Sequence, residues 1–244
     1  MTAAGATAGY RRLTAGKRVA VVREAHVADA KALLDKGSLY DAAVASADAR
    51  PLQGRGIAYA IELPVTRIRA VVRHNRHGGL LAPLTRDLFL PPTRAAHELV
   101  VTRRLQAAGV RVPDVLMFAA EPVLNFWRRV DVVTLEIRDG RDLSTYMLPG
   151  EPPDSRALAW EAARELVRAL NDVGARHHDL NVKNILIAPS GDGVAAWVLD
   201  VDRVELGRPN ARGVRVGNVG RLRRSARKWR DERGAEFDEA ELAI

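Results

Sequence analysis

The chain has 244 residues, 47% hydrophobic and 28% charged, a composition that can bury a real core in one large domain or two lobes. It contains no cysteine, which excludes disulfides and thiolate metal sites, and no stretch approaches the ~18 uninterrupted apolar residues of a membrane-spanning helix. The formal charge is +8, and the window from Arg203 to Arg233, with eleven basic and three acidic residues, carries all of that excess.

The first residues, "MTAAGATAGYRRLTAGKRVAVV", lack the basic start, apolar middle and small-residue cleavage site of a secretory signal, so a cytoplasmic location is expected. "KRVAVVREA" (17–25) predicts a strand, and "HVADAKALLDKG" (26–37) a short helix stopped by Gly37. "YAIELP" (59–64) and "RIRAVVRH" (67–74) predict strands joined by a tight connection at Pro64. The basic, glycine-containing stretch 75–92 predicts a loop. Thr93 can cap a helix that runs to Gly109. "VLMFAAEP" (115–122) and "VDVVTLEI" (130–137) predict two more strands, and "RDGRDLSTYM" (138–147) a connection. Asp154 or Ser155 can cap a helix with the apolar stripe Leu158, Ala162, Leu166, Ala169, Leu170 and Val173, ended by Gly174. "ILIA" and "WVLDVD" flank the turn signal "PSGDG" and predict a hairpin. The last segment, with "RLRRSARKWR" (221–230), is helical and basic. Strands with one helix come first and helices with a small hairpin follow. The expected fold class is therefore α+β, with a sheet-rich N-terminal lobe over residues 1–137 and a helical C-terminal lobe over 138–244.

The hairpin region concentrates the chemistry. Asp179 follows a helix and two histidines, Asn184 lies five residues on, and Asp200 sits at the end of the hairpin's second apolar run. Phosphoryl transfer from ATP needs such a set. One carboxylate orients the accepting hydroxyl and takes its proton. A second carboxylate and an amide oxygen hold magnesium (Mg2+) against the nucleotide phosphates, and oxygen donors suit that ion. In the first lobe Gly54 and Gly56 precede a strand, Arg73 sits on the next strand and Glu98 lies on the helix that follows. No lysine occurs between Lys36 and Lys183, so a cation serving the phosphates from these strands must be an arginine.

"HHDLNVKNILI" (177–187) resembles the protein-kinase catalytic loop, His-Arg-Asp-Leu followed by three residues and Asn. The resemblance places Asp179 as catalytic base and Asn184 and Asp200 as metal ligands. His177 then braces the loop. Asp202 stands where that motif has glycine. There is no Ala-Pro-Glu and little room for an activation loop, which favours a compact kinase of small molecules or glycolipids. "VVRHNRHGGLL" followed by "TRAAHELVVTRRLQAAGVRVP", with "LDVDR" and "GNVGRLRRSARKWR", is similar to the bacterial lipopolysaccharide kinases, above all those acting on 3-deoxy-D-manno-octulosonic acid (Kdo). That likeness runs from about Arg50 to Trp229. It implies a protein-kinase-like bilobal fold and ATP with magnesium as cofactors. Gly54, Gly56, Arg73 and Glu98 become the nucleotide-binding set. The implied acceptor is the 4-hydroxyl of a Kdo sugar on a lipid A precursor. It also implies peripheral attachment to the cytoplasmic face of the inner membrane through the basic C-terminal segment, with no nucleic acid as partner. Two alternatives stay open: a kinase of another lipopolysaccharide sugar such as heptose, or of a small molecule, and an inactive kinase fold that binds anionic glycolipid.

Overall fold

A computed structural model describes residues 8–52, 57–74, 94–124 and 127–242. The chain divides into two compact units, Met1–Val100 with Asp114–Glu136, and Val101–Pro113 with Ile137–Ile244. Residues 101–113 thus cluster with the second unit, although the sequence pattern groups them with the first.

The first unit is built on seven strands. β1 (Tyr10–Ala15) and β2 (Arg18–Arg23) form a hairpin, where the sequence predicts a single strand over 17–25. Gly16, at φ 58°, makes the reversal. α1 (Val27–Leu34) follows, and then α2 (Leu39–Val44), a helix the sequence pattern does not predict. Ser38 caps α2 by accepting the Asp41 N–H and donating its hydroxyl to the Asp41 carboxylate. β3 (Arg50–Leu52), β4 (Ala58–Glu62) and β5 (Arg69–His74) come next, then α3 (Arg94–Ala107), β6 (Val115–Leu124) and β7 (Trp127–Leu135). All neighbours are antiparallel, in the order β1-β2-β6-β7-β5-β4-β3.

Alternation along the strands gives this sheet two apolar faces. On one, Ala20, Val22, Ala70, Val72, Met117 and Val133 meet Leu33, Leu34, Leu39 and Ala43 of α1 and α2. On the other, Phe118, Val130 and Val132 meet Ala95 and Leu99 of α3. The buried Asp29 of α1 ties in the β4–β5 turn, accepting the Val65 N–H, the Thr66 N–H and the Thr66 hydroxyl.

The second unit holds β8 (Arg141–Asp142), α4 (Leu143–Tyr146), the long α5 (Pro153–Asp172), β9 (Ala175–His177), β10 (Ile185–Ser190), β11 (Gly193–Val198), β12 (Val204–Leu206) and α6 (Arg212–Arg233). β11, β10 and β8 form one small sheet, and β12 with β9 another. Its core gathers Trp160, Leu166, Val167 and Leu170 of α5, Ile185 and Ile187 of β10, and Leu222 and Ala226 of α6. Leu158, which the spacing predicts on the apolar stripe, is 57% exposed. The buried face of α5 starts one residue later, at Ala159 and Trp160. Most strand residues thus fall in one unit and most helical residues in the other, in line with the α+β expectation.

Candidate active site

The segment carrying Asp179 is positioned by its neighbours on both sides. α5 ends at Asp172, and Gly174 turns the chain at φ +73°. A Cβ there would stand 2.6 Å from the Arg208 carbonyl oxygen, so only glycine fits. β9 then pairs with β12, His177 opposite Val204. Hydrogen bonds within the loop set its shape from there on.

His177 is fully buried. Its Nε2–H donates to the Leu199 carbonyl at 3.0 Å, and its Nδ1 accepts the Asp179 N–H at 3.1 Å. One ring therefore holds the backbone of Asp179 against the strand end that leads to Asp200. The two bonds require a neutral imidazole with its single proton on Nε2. Burial, opposed by the Leu199 carbonyl and the nearby Asp200, Asp179 and Asp202 carboxylates, holds the His177 pKa below its ordinary 6.5. The chemistry of the ring and its bonding agree.

The Asp179 carbonyl is also a hub. It accepts Asn181 Nδ2 at 2.9 Å and Asn184 Nδ2 at 2.8 Å. Asn181 in turn accepts the Lys183 N–H. The bond from Asn184 fixes the orientation of its amide: the nitrogen is committed to the loop, so Oδ1 points away from it. That oxygen accepts no hydrogen bond among the described residues.

Asp200 is reached across the β10–β11 hairpin. Ile185 faces Val198, and the Leu199 N–H donates to the Asn184 carbonyl at 2.9 Å, extending the ladder by one step. The strand stops at Val198, so Asp200 lies beyond it rather than within it. It adopts φ 54°, ψ 47° and starts a 3₁₀ turn over Val201–Arg203. Aspartate tolerates this left-handed conformation better than most residues, and it cannot be part of a ladder there. The side chain is exposed and makes no hydrogen bond or ion pair among the described residues. The hairpin thus presents an amide oxygen from one arm and a carboxylate from the other.

These donors fit a hard divalent cation. Magnesium prefers oxygen and is normally held by one or two protein groups plus phosphate oxygens and water. Among the described residues no group of three or more His, Asp or Glu could cage a metal unaided. One amide oxygen and one carboxylate match that habit.

Two supports come from α6, inside the stretch 217–230, whose resemblance assigns them no role. Buried Asn218 accepts the His177 N–H at 2.9 Å and donates to the Ala175 carbonyl and to Asn171 Oδ1. Ser225 Oγ accepts the Val182 N–H at 3.2 Å. The inner face of the basic helix therefore anchors the Asp179 loop.

In the first unit, Arg73 at the end of β5 forms an ion pair with Glu98 of α3. Glu98 is buried and Arg73 half-buried. The neighbouring His74 points to the other sheet face. Its Nδ1 lies 2.5 Å from Asp131, which also accepts the Tyr40 N–H at the start of α2. The Arg-His pair thus serves two purposes: His74 locks β5 to β7 and α2, while Arg73 is aimed by Glu98. Gly54 and Gly56, and the loop over 75–92, lie outside the described residues.

Comparison with known proteins adds the following. The family model described as "Lipopolysaccharide kinase (Kdo/WaaP) family" matches residues 44–241. The protein of Actinobacillus succinogenes named 3-deoxy-D-manno-octulosonic acid kinase is 30% identical over 194 residues, covering 78% of this chain and 79% of its own length. Its namesake in Vibrio cholerae is 30% identical over 197 residues, covering 78% of both chains. Among solved structures, WaaP in complex with acyl carrier protein aligns at TM-score 0.50 and 19% identity, over 80% of this chain and 78% of that one. That likeness shows a protein-kinase-like fold.

Proposed function

Since this chain belongs to the lipopolysaccharide kinase (Kdo/WaaP) family and is a phosphotransferase, we propose that it moves the γ-phosphoryl group of ATP to the 4-hydroxyl of a Kdo sugar on a lipid A precursor. The observation that carries this reading is the hairpin that brings Asn184 and the strand end leading to Asp200 side by side, next to an Asp179 fixed through its own backbone.

Asn184 and Asp200 would hold magnesium, which when bound would offset negative charge on the nucleotide phosphates. Asp179 orients the accepting hydroxyl and receives its proton as the oxygen–phosphorus bond forms and ADP departs. Arg73, aimed by Glu98, grips phosphate oxygens, and a guanidinium can do so in two places. Gly54 and Gly56 supply backbone N–H groups to the same phosphates. Because His177 is neutral and buried, it braces Asp179 and takes no part in proton transfer.

Among the described residues no helix is long and apolar enough to cross a membrane. We place the protein on the cytoplasmic face of the inner membrane, held there by its basic C-terminal segment against anionic lipid.

An acceptor panel tests the substrate. Labelled ATP and magnesium are offered with Kdo-bearing lipid A precursor, with a heptose-bearing acceptor and with free sugars, and the product is located by phosphorus NMR. Label on the Kdo 4-hydroxyl alone is expected. Label on heptose or on a small molecule would keep the kinase and replace the acceptor. Glycolipid binding with no transfer to anything would identify an inactive kinase fold.

A further inference from the structure

α6 is dense in arginine, but its cations are not equivalent. Near the C-terminal end, Arg223 Nε and Arg227 Nε lie 3.1 and 2.6 Å from the two carboxylate oxygens of Glu239, on the turn that follows the helix. Hydrogen bonding from Arg227 holds the Glu239 pKa below the ordinary carboxylate range. Lys228 faces Glu232, and Arg230 faces Asp231. The densest basic run is therefore partly neutralised by the chain's own acidic end.

The N-terminal end differs. Residues 206–230 contain no acidic residue. The side chains of Arg208, Arg212 and Arg215 make no hydrogen bond or ion pair among the described residues. Helical spacing puts Arg212, Arg215 and Val216 on one face. Val216 is 62% exposed, the most exposed of the large exposed hydrophobic side chains. Among the described residues Arg221 and Arg224 are also without an acidic partner, yet no exposed large apolar residue lies three or four positions from them on the helix. A different row of the helix, carrying Asn218, Leu222 and Ala226, is buried. An exposed aliphatic group ringed by unneutralised arginines suits the boundary of an anionic bilayer, where phosphates meet the arginines and the apolar side chain reaches the acyl region.

We propose that Arg212, Arg215 and Val216, with Arg208 beside them, are the face that docks this chain on an anionic lipid bilayer, and that Arg223 and Arg227 are held away from that task by Glu239. The proposal rests on the reading that the acceptor is an anionic glycolipid held in a membrane.

The test uses the full chain and two readouts. One is co-sedimentation with phosphatidylcholine vesicles, with and without phosphatidylglycerol. The other is phosphate transfer to acceptor dispersed in detergent. Arg212→Ala/Arg215→Ala/Val216→Ser should weaken partitioning onto the anionic vesicles by about 30-fold or more while transfer in detergent is kept. Arg223→Ala/Arg227→Ala should partition as wild type does. Unchanged partitioning of the triple variant would overturn the proposal. So would equal binding of wild type to both kinds of vesicle, or binding to a soluble acidic protein in place of vesicles. Loss of detergent transfer in the triple variant would overturn it too, by making the face part of the fold or the catalytic site. If wild type transfers nothing in detergent yet binds anionic vesicles through this face, the docking face stands and the kinase reading falls.

Discussion

His177 shows how one side chain joins both halves of the proposed phosphotransfer set. Its two bonds span from Asp179 to Leu199, the residue before Asp200. They survive only while the ring is neutral, and burial keeps it so. The sign follows directly. The unfolded histidine takes up a proton near 6.5, whereas the folded one does so only at lower pH, so its contribution is whole above 6.5 and is lost as pH falls through the folded value. Urea midpoints measured across that range should fall more steeply for wild type than for His177→Gln; equal slopes would show that the ring is not held neutral. Asn218 acts one step further out. Asn218→Ala strips partners from the His177 N–H and the Ala175 carbonyl, both at buried residues, and should cost about 2–4 kcal/mol in urea unfolding. Asn218→Asp should not rescue it, because an ionised carboxylate would face the Ala175 carbonyl and Asn171 Oδ1 without a proton to offer. That the Asp179 loop, Asn184 and the strand end before Asp200 lie together was legible from short spacings and one hairpin turn in the chain. Asn218 and Ser225 were not, since they meet the loop across 41 and 43 residues and only folding reveals the contact.

At the level of elements, the hairpin β10–β11 carries the proposed metal-binding pair. Its turn residues and apolar arms make the hairpin readable from sequence, while its register, Ile185 opposite Val198, comes from the structure. The edge strand β1 is harder to see because Arg11 and Arg12 face solvent and leave only a weak alternation. α2 is six residues long and held by its Ser38 cap and by tertiary packing, so periodicity alone cannot find it. α6 is legible as a basic helix, but its buried face and the Glu239 clamp are not. Gly174 marks a tight joint between elements, where α5 hands over to β9 against the Gly207–Arg208 backbone. Gly174→Ala combines a left-handed φ with a collision against backbone that cannot move aside. It should cost roughly 2–4 kcal/mol in denaturant unfolding. A loss near zero would mean the joint relaxes freely.

For the whole molecule, ligand binding and chemistry should separate cleanly. A ligand present at about 100 times its Kd stabilises the folded chain by roughly 2.7 kcal/mol. ATP with magnesium should therefore raise the Tm of wild type, and this rise should vanish in Asp200→Ala, which lacks one of the two proposed cation donors. Magnesium-dependent stabilisation that persists in Asp200→Ala would relocate the metal site. The most direct test concerns Asp179, whose carboxylate is assigned to the proton and whose backbone, not its side chain, accepts from Asn184. Label transfer from ATP to the Kdo-bearing lipid should be measured for wild type and Asp179→Asn, alongside ATP binding by each. The account predicts a transfer rate lower by about 100-fold or more in the variant, with ATP bound as in wild type. Transfer near the wild-type rate would contradict the assignment of Asp179 and with it the phosphotransfer centre described above.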